Sequence, residues 1–227
     1  MNHNKTDITI VLDKSSSMSI VYNETITGFN TFVTDQKAEP GEAVLSLHTF
    51  SHLYDTVFSG KKIADVEPLT KASYKPEGYT ALLDAIGTAI NSTGERLRTQ
   101  PDDERAGKVV FVIITDGEEN SSKVFTKDKI NEMINHQRDI YKWQFVFIGA
   151  NQDGIQAGTG LGVAMGNTIS AACNDIGTRA MYSAVSDNVK KFRGGQKVDM
   201  SFEAKQRKDQ LDAGAAPDAM SSHLGGS

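Results

Sequence analysis

The chain has 227 residues, of which 38% are hydrophobic and 23% are charged, so neither wholesale disorder nor membrane embedding is indicated. Its net charge of -5 gives no general attraction to polyanions, which disfavours nucleic acid as a partner. Cys173 is the only cysteine, which excludes an internal disulfide and a thiolate cluster for zinc or iron-sulfur.

The first part of the chain predicts a strand, a helix and a hairpin. Residues 8–12 form a short apolar run that ends at Asp13, as expected for a strand buried on both faces of a sheet. The first helix is predicted by apolar residues at helical spacing, namely Tyr22, Ile26, Phe29 and Val33. Two β-rich runs at 43–50 and 53–58 are so close that only an antiparallel hairpin can connect them.

The rest of the chain alternates between predicted helices and strands. A second helix begins after Thr80 and is expected to fray near Gly94, whereas the glycine-rich residues 158–166 predict a tight loop. The other predicted elements are a strand at 109–114, a helix at 127–141, a strand at 145–148 and a final helix at 175–192. This alternation predicts an α/β fold with a doubly wound, mostly parallel central sheet, one antiparallel edge strand, and helices on both faces.

The two ends of the chain indicate its organisation and location. Residues 1–7 lack a basic stretch followed by an apolar one, and no later run of about 18 apolar residues could span a bilayer. We expect a cytoplasmic protein with no membrane partner, or alternatively a component of a virion or other assembly. A domain is predicted over residues 1–193, followed by a tail at 194–227 that is flexible from residue 212.

Five oxygen-bearing side chains stand at predicted strand ends or at a helix start. They are Asp13, Ser15 and Ser17 after the first strand, Thr80 before the second helix, and Asp116 after a central strand. Ligands of doubly wound sheets bind beyond the carboxyl ends of the strands, so these side chains are expected to meet. Carboxylates and hydroxyls are hard ligands, which favours Mg²⁺, with Mn²⁺ and Ca²⁺ as alternatives.

Each of these residues taken singly also fits a structural role. Asp and Ser favour helix caps and turns, so the segment at 13–17 alone predicts a cap more often than a metal site. Thr80 likewise fits a cap and Asp116 a turn, and only their common position at strand ends favours a site. A structural role is preferred for the other polar residues near this edge, namely Glu118, Glu119, Asn120, Asn151 and Asp153.

The three separated motifs, Asp-x-Ser-x-Ser at 13–17, Thr80, and Thr-Asp-Gly at 115–117, resemble the metal-ion-dependent adhesion site of the von Willebrand factor A family. The resemblance spans roughly residues 5–193 and suggests a stand-alone bacterial or phage type. It implies that Ser15, Ser17 and Thr80 bind the metal directly, and that Asp13 and Asp116 bind it directly or through water. In two departures from the family pattern, Ser16 and Tyr79 stand where many relatives have glycine.

The resemblance implies a metal-dependent protein-binding module and no enzymatic activity. In this interpretation the cation binds an Asp or Glu of a partner protein. That partner is alternatively a second copy of this chain, whose tail carries Asp209, Asp212 and Asp218. Two other functions stay open, a structural component of a phage or secretion assembly and a Mg²⁺-dependent hydrolase or phosphatase. An acid-phosphatase-like site would need a second Asp at the position that Ser15 occupies.

Overall fold

The computed structural model describes residues 1–150 and 153–217. Its strands are β1 (Asn2–Asp13), β2 (Glu42–Phe50), β3 (Tyr54–Lys62), β4 (Ala106–Thr115), β5 (Gln144–Ala150) and β6 (Thr168–Ala171). In this part of the chain they form one sheet in the order β3-β2-β1-β4-β5-β6. All neighbours are parallel except β2 and β3, which form the predicted antiparallel hairpin at one edge.

Helices cover both faces of the sheet. They are α1 (Tyr22–Ala38), α2 (Leu82–Thr99), α3 (Lys127–Tyr141), α4 (Gly154–Gly160), α5 (Asp175–Arg193) and α6 (Ala204–Asp212). Helices α1 and α5 bury one face of the sheet, and α2 and α3 bury the other. This arrangement confirms the predicted doubly wound α/β fold. None of the helices in the described ranges is long and apolar enough to cross a bilayer.

Strand β1 contributes to both apolar cores. Ile8, Ile10 and Leu12 are buried in the core that contains α1 and α5, whereas Val11 is buried in the core that contains α2 and α3. Full burial of such a side chain contributes roughly 1.5–3 kcal/mol. A strand covered on both faces therefore needs the continuous apolar run seen in the sequence.

Helix α2 continues to Thr99, so the prediction that it frays near Gly94 is wrong. The apolar side of the helix, including Ile86, Ile90 and Leu97, is buried against the sheet. A glycine inside a helix costs roughly 1 kcal/mol relative to alanine. Burial of this apolar side outweighs that local cost, so the helix continues past Gly94.

Replacing Gly94 with alanine should increase the free energy of unfolding by about 0.5–1 kcal/mol. The added methyl group would meet no atom within 4 Å, so the helix gains propensity without a clash. Urea unfolding of the two proteins measures the change. Gly87→Ala is a control expected to destabilise the protein, because its Cβ would lie 2.6 Å from the ring of Phe125. A destabilised Gly94→Ala protein would contradict the prediction.

The glycine-rich residues 158–166, predicted as a tight loop, are helical at their beginning. Helix α4 lies against β5 and β6 at a separation that glycine makes possible. A Cβ on Gly154 would lie 2.3 Å from the backbone oxygen of Ile169, and one on Gly158 would lie 2.6 Å from Thr168. These glycines therefore reflect close packing. The sequence pattern did not reveal β6, since four residues carry little periodicity.

The chain continues to pack against the domain after residue 193, in the region that the sequence predicted to be a tail. Met200 and Phe202 are buried in the core that contains α1 and α5. From α6, Arg207 Nη2 donates to the backbone oxygens of Gly166 at 3.0 Å and Thr168 at 2.9 Å. The described residues after 193 therefore cover the outer edge of β6.

Two of the three aspartates expected on a free tail lie in α6. Asp209 pairs with Lys205 and Asp212 pairs with Lys208, each at 2.7 Å. Asp218 lies outside the described residues. Because α6 is fixed on the domain, Asp209 and Asp212 do not extend toward a second copy of the chain as a free tail would.

Candidate metal centre

Strands β1 and β4 lie side by side and parallel, so their carboxyl ends meet at one edge of the sheet. Asp13 is the last residue of β1, and Asp116 directly follows β4. The hydroxyl groups of Ser15, Ser17 and Thr80 lie beside these carboxylates. The structure thus brings all five predicted residues together at this edge.

Asp13 is fully buried and held by three hydrogen bonds. Its Oδ1 accepts a bond from the backbone N–H of Ser15, and its Oδ2 accepts one from Thr115 Oγ1, both at 2.6 Å. Its backbone oxygen accepts a bond from the hydroxyl of Tyr74, also at 2.6 Å. The first two bonds orient the carboxylate and the third fixes the backbone of Asp13, and the sequence had indicated no role for Thr115 or Tyr74.

The serines connect the end of β1 to Asp116. Ser15 Oγ lies 3.2 Å from Ser17 Oγ, and Ser17 Oγ donates to Asp116 Oδ1 at 2.7 Å. Ser15 is buried, whereas Ser17 is exposed. The other carboxylate oxygen of Asp116, Oδ2, is buried and has no hydrogen-bond partner among the described residues. A buried acceptor without a partner is costly, so this oxygen is suited to an additional ligand.

Thr80 reaches the same place from the segment before α2. A Cβ on Gly117 would lie 3.1 Å from Thr80 Oγ1 and 3.8 Å from Ser17 Oγ, so both hydroxyls lie beside this glycine. The backbone of Thr80 is fixed by Asn120, whose side-chain oxygen accepts the Thr80 N–H at 2.9 Å and whose own N–H donates to Thr80 O at 3.1 Å. Asn120 is therefore a positioning residue for Thr80.

The loop after Asp116 also holds the beginning of α2. The carboxylate of Glu119 accepts hydrogen bonds from the N–H groups of Leu83 at 2.9 Å, Ser121 at 2.8 Å and Ser122 at 2.7 Å. Carboxylates are favourable at a helix N-terminus because the first N–H groups have no partner within the helix. The preferred structural interpretation of Glu119 and Asn120 agrees with these contacts.

Burial dominates the electrostatics of the two aspartates. It raises the pKa of Asp13 from 3.8 to about 6, with a further contribution from the negative charge of Asp116. Burial also raises the pKa of Asp116 above its usual range. Within the described chain neither carboxylate forms an ion pair, and Lys14 pairs instead with Asp55 at 2.7 Å. A bound cation would supply the missing positive charge.

We expect Asp13→Asn to stabilise the metal-free protein by about 1–2 kcal/mol near neutral pH, below the limit of about 3 kcal/mol that the pKa rise sets. Folded Asp13 keeps its proton to a higher pH than unfolded Asp13, so its contribution to stability falls as pH rises from 3.8 to about 6. The gain from asparagine should therefore be complete above this window and absent below it. Urea unfolding of EDTA-treated protein across this range measures it.

Asp103→Asn is the matched control for this experiment. Asp103 is exposed and lies before β4, at the opposite edge of the sheet. Its replacement should change stability by no more than about 0.5 kcal/mol. A metal-free Asp13→Asn protein that is less stable than the wild type near neutral pH would show that the hydrogen bonds to this carboxylate outweigh its burial cost.

The donors at this edge fit a hard divalent cation. No group of three or more His, Cys, Asp and Glu side chains that could hold a metal occurs within residues 1–150 and 153–217. A cation held here would depend on the three hydroxyls as well as the two carboxylates. Such a set suits Mg²⁺, Mn²⁺ or Ca²⁺, and the free Asp116 Oδ2 is a suitable ligand atom.

Comparison with known families agrees with this architecture. The family model described as von Willebrand factor type A domain matches residues 7–195 of the chain. The chain belongs to this family and therefore contains a von Willebrand factor A (vWA) domain. A comparison of the vWA domain with curated proteins found no match.

Solved structures share its fold at low sequence identity. Proximal thread matrix protein 1 from the mussel byssus aligns at 18% identity and a TM-score of 0.55, over 85% of this chain and 47% of that one. The same mussel protein with zinc in its metal-ion-dependent adhesion site (MIDAS) motif aligns at 19% identity and a TM-score of 0.54, over 84% of this chain and 46% of that one. The ArnB paralog VWA2 from Sulfolobus acidocaldarius aligns at 18% and 0.50, over 82% and 45%. The vWA domain thus spans less than half the length of these structures.

Neither departure from the family pattern displaces a predicted ligand of this vWA domain. Ser16 is exposed, and its N–H donates to the backbone oxygen of Gly78 at 3.1 Å. Tyr79 is 71% exposed. Gly78 has a φ of +77°, and a Cβ there would lie 2.1 Å from His52. The glycine that this turn requires therefore stands one residue before Tyr79.

Of the two remaining candidates for the rim of this vWA domain, the structure describes Asp153. Asp153 caps α4, accepting hydrogen bonds from the N–H groups of Ile155 and Gln156 at 3.0 Å. Asn151 lies outside the described residues. The preferred structural interpretation of Asp153 as a helix cap agrees with this geometry.

Proposed function

We propose that this vWA domain binds a divalent cation at the carboxyl edge of its sheet and uses it to bind a partner protein. The ligands are Asp13, Ser15, Ser17, Thr80 and Asp116. The proposal rests on one observation, the convergence of three hydroxyls with two buried, unpaired carboxylates, one of which has an oxygen without a hydrogen-bond partner. Among the described residues, neither alternative function named above is supported by a comparable arrangement of side chains.

Magnesium is the proposed metal, with Mn²⁺ and Ca²⁺ as alternatives. All five donors are oxygen atoms, which Mg²⁺ prefers, and no imidazole or thiolate is present among them to favour zinc. The zinc-occupied MIDAS motif of the mussel protein supports a divalent cation at such a site. Competition between these ions for the metal-stripped protein would rank its affinities for them.

The proposed partner group is an Asp or Glu side chain. Two aspartates neutralise a divalent ion while the hydroxyls add no charge, so the bound cation stays electrophilic toward a further carboxylate. A second copy of the chain is a less favoured source of this carboxylate, because Asp209 and Asp212 are fixed in α6. A partner protein with an exposed acidic residue fits the site better.

Metal-stripped protein should bind Mg²⁺ or Mn²⁺ and melt at a higher temperature in their presence. A ligand that binds only the folded state stabilises it by about 2.7 kcal/mol at a concentration a hundred times its Kd. Calorimetric titration and thermal melting measure the two effects. The double variant Asp13→Ala with Asp116→Ala should lose both.

The control double variant is Asp65→Ala with Asp103→Ala. Both aspartates are exposed, so this variant removes the same charge while keeping the site. It should bind metal as the wild type does. Wild-type protein without heat or melting shift, or equal metal binding by both double variants, would disprove the site. Phosphate-ester hydrolysis that requires Asp13 would place the protein among the enzymes.

A further inference from the structure

A second concave site lies at the end of the sheet where the parallel strands β4 and β5 begin, opposite the candidate metal centre. Its cavity of about 330 Å³ is formed by the carboxyl-terminal halves of α2 and α3 and by the chain where β4 and β5 begin. Binding pockets for small molecules have about this volume or more. Its apolar lining includes Leu97, Val109, Tyr141 and Trp143.

Gly94 keeps this cavity open from the side of α2. Two other glycines in long helices are explained by packing, since a Cβ on Gly28 would lie 2.2 Å from Tyr182 and one on Gly87 would lie 2.6 Å from the ring of Phe125. A Cβ on Gly94 would meet nothing within 4 Å. Gly94 lines the cavity, so its missing side chain leaves space for a ligand where the fold itself needs none.

An unusual backbone conformation sets Trp143 in the cavity wall. Lys142 ends α3 with a φ of +60°, the only positive φ of a non-glycine residue within the described chain. This turn lets the N–H of Trp143 donate to Gln137 O at 3.2 Å. The indole then packs against two neighbouring rings, with centroid distances of 6.5 Å to Phe111 and 6.1 Å to Phe145. The cavity therefore has a rigid aromatic wall.

The charged groups that line the cavity are cationic. The side chains of Arg98 and Arg105 carry this charge, the imidazole of His136 also lines the cavity, and no aspartate or glutamate belongs to the lining. Arg98 pairs with Glu95 at 2.6 Å, and Arg105 pairs with Asp102 at 3.0 Å. Glu95 and Asp102 are exposed, and exposed ion pairs contribute little to stability. Arg105 also donates to the backbone oxygens of Leu97 at 2.7 Å and Gln100 at 2.9 Å, so a bound anion would compete chiefly with Glu95 for Arg98.

We propose that this cavity binds a small aromatic carboxylate. A flat aromatic ring suits the apolar space beside Tyr141 and Trp143, because aromatic rings pack favourably against one another. Arg98 and His136 then receive the carboxylate. This inference does not depend on the metal site, so chelation should leave it unchanged.

The test uses phenylacetate as the anionic probe and phenylacetamide as its neutral counterpart, since neither emits where tryptophan does. Trp143 is the only tryptophan of the chain, so its fluorescence reports on the cavity directly. Calorimetric titration with EDTA present gives both affinities. We expect saturable binding of phenylacetate with a change in Trp143 emission, and binding of phenylacetamide that is about fivefold weaker.

Three variants locate the binding. Gly94→Leu should fill the cavity and weaken binding of phenylacetate at least about tenfold, whereas Asn91→Leu, on an exposed position of α2, should not. Arg98→Gln should weaken binding of phenylacetate about fivefold and leave that of phenylacetamide nearly unchanged. No saturable binding, equal affinity of the two probes, or wild-type affinity in Gly94→Leu would each overturn the proposal. The wild type and the three variants are compared after their thermal melting has shown that they fold.

Discussion

Removing the metal should weaken binding of the partner protein by about 3 kcal/mol, which is more than a hundredfold in affinity. In the proposed complex, the partner's carboxylate loses its hydration and gains a direct bond to the cation. Without the cation, this carboxylate would face the buried carboxylates of Asp13 and Asp116. The partner is first captured from native lysate with Mg²⁺, released with EDTA and identified by mass spectrometry.

Its affinity is then measured with Mg²⁺, with EDTA, and for Thr80→Ala in Mg²⁺. Thr80→Ala removes one proposed hydroxyl ligand of the metal. The two backbone hydrogen bonds to Asn120 remain, so the loop keeps its position. Thr31→Ala, on an exposed position of α1, is the control and should bind as the wild type does. Equal partner affinity with Mg²⁺ and with EDTA would rule out a metal-bridged complex.

Ending the chain after Gly195 should destabilise the protein by about 3–6 kcal/mol, because it removes the buried side chains of Met200 and Phe202. It also removes the contacts that Arg207 and Gln210 make to the backbone around β6 and in the first turn of α5. This loss is a large part of the roughly 5–15 kcal/mol that stabilises a typical domain. Urea unfolding measures the effect.

A chain that ends at Pro217 is the control, since it keeps every described residue that packs after α5. It should match the full chain in stability. If the shorter chain does not fold, Phe202→Ala gives a milder test with an expected loss of about 3 kcal/mol. The shorter chain should also self-associate during sedimentation, because unpaired edge strands pair with other chains. Equal stability of the two truncated chains would contradict the proposed role of residues 196–215.

The sequence by itself determined the elements that can be recognised from the spacing of apolar residues close together in the chain. Helix α3 begins and ends where its spacing predicts, and the short connection after β2 requires the hairpin that is observed. The apolar run before Asp13 likewise predicted a strand covered on both faces. Alternation of strands and helices then leads to a doubly wound sheet, and such a sheet brings residues after β1 and β4 to one edge.

Only the tertiary structure decided features that depend on contacts distant in the chain. Burial of one side of α2 outweighs the local cost of Gly94, and a few contacts from Phe202 and Arg207 hold a polar helix that resembled a tail. The support of Thr80 by Asn120 also joins residues 40 positions apart. Local patterns report a residue's own conformational preference, whereas these outcomes depend on the free energy of packing and hydrogen bonding with neighbours that the fold supplies.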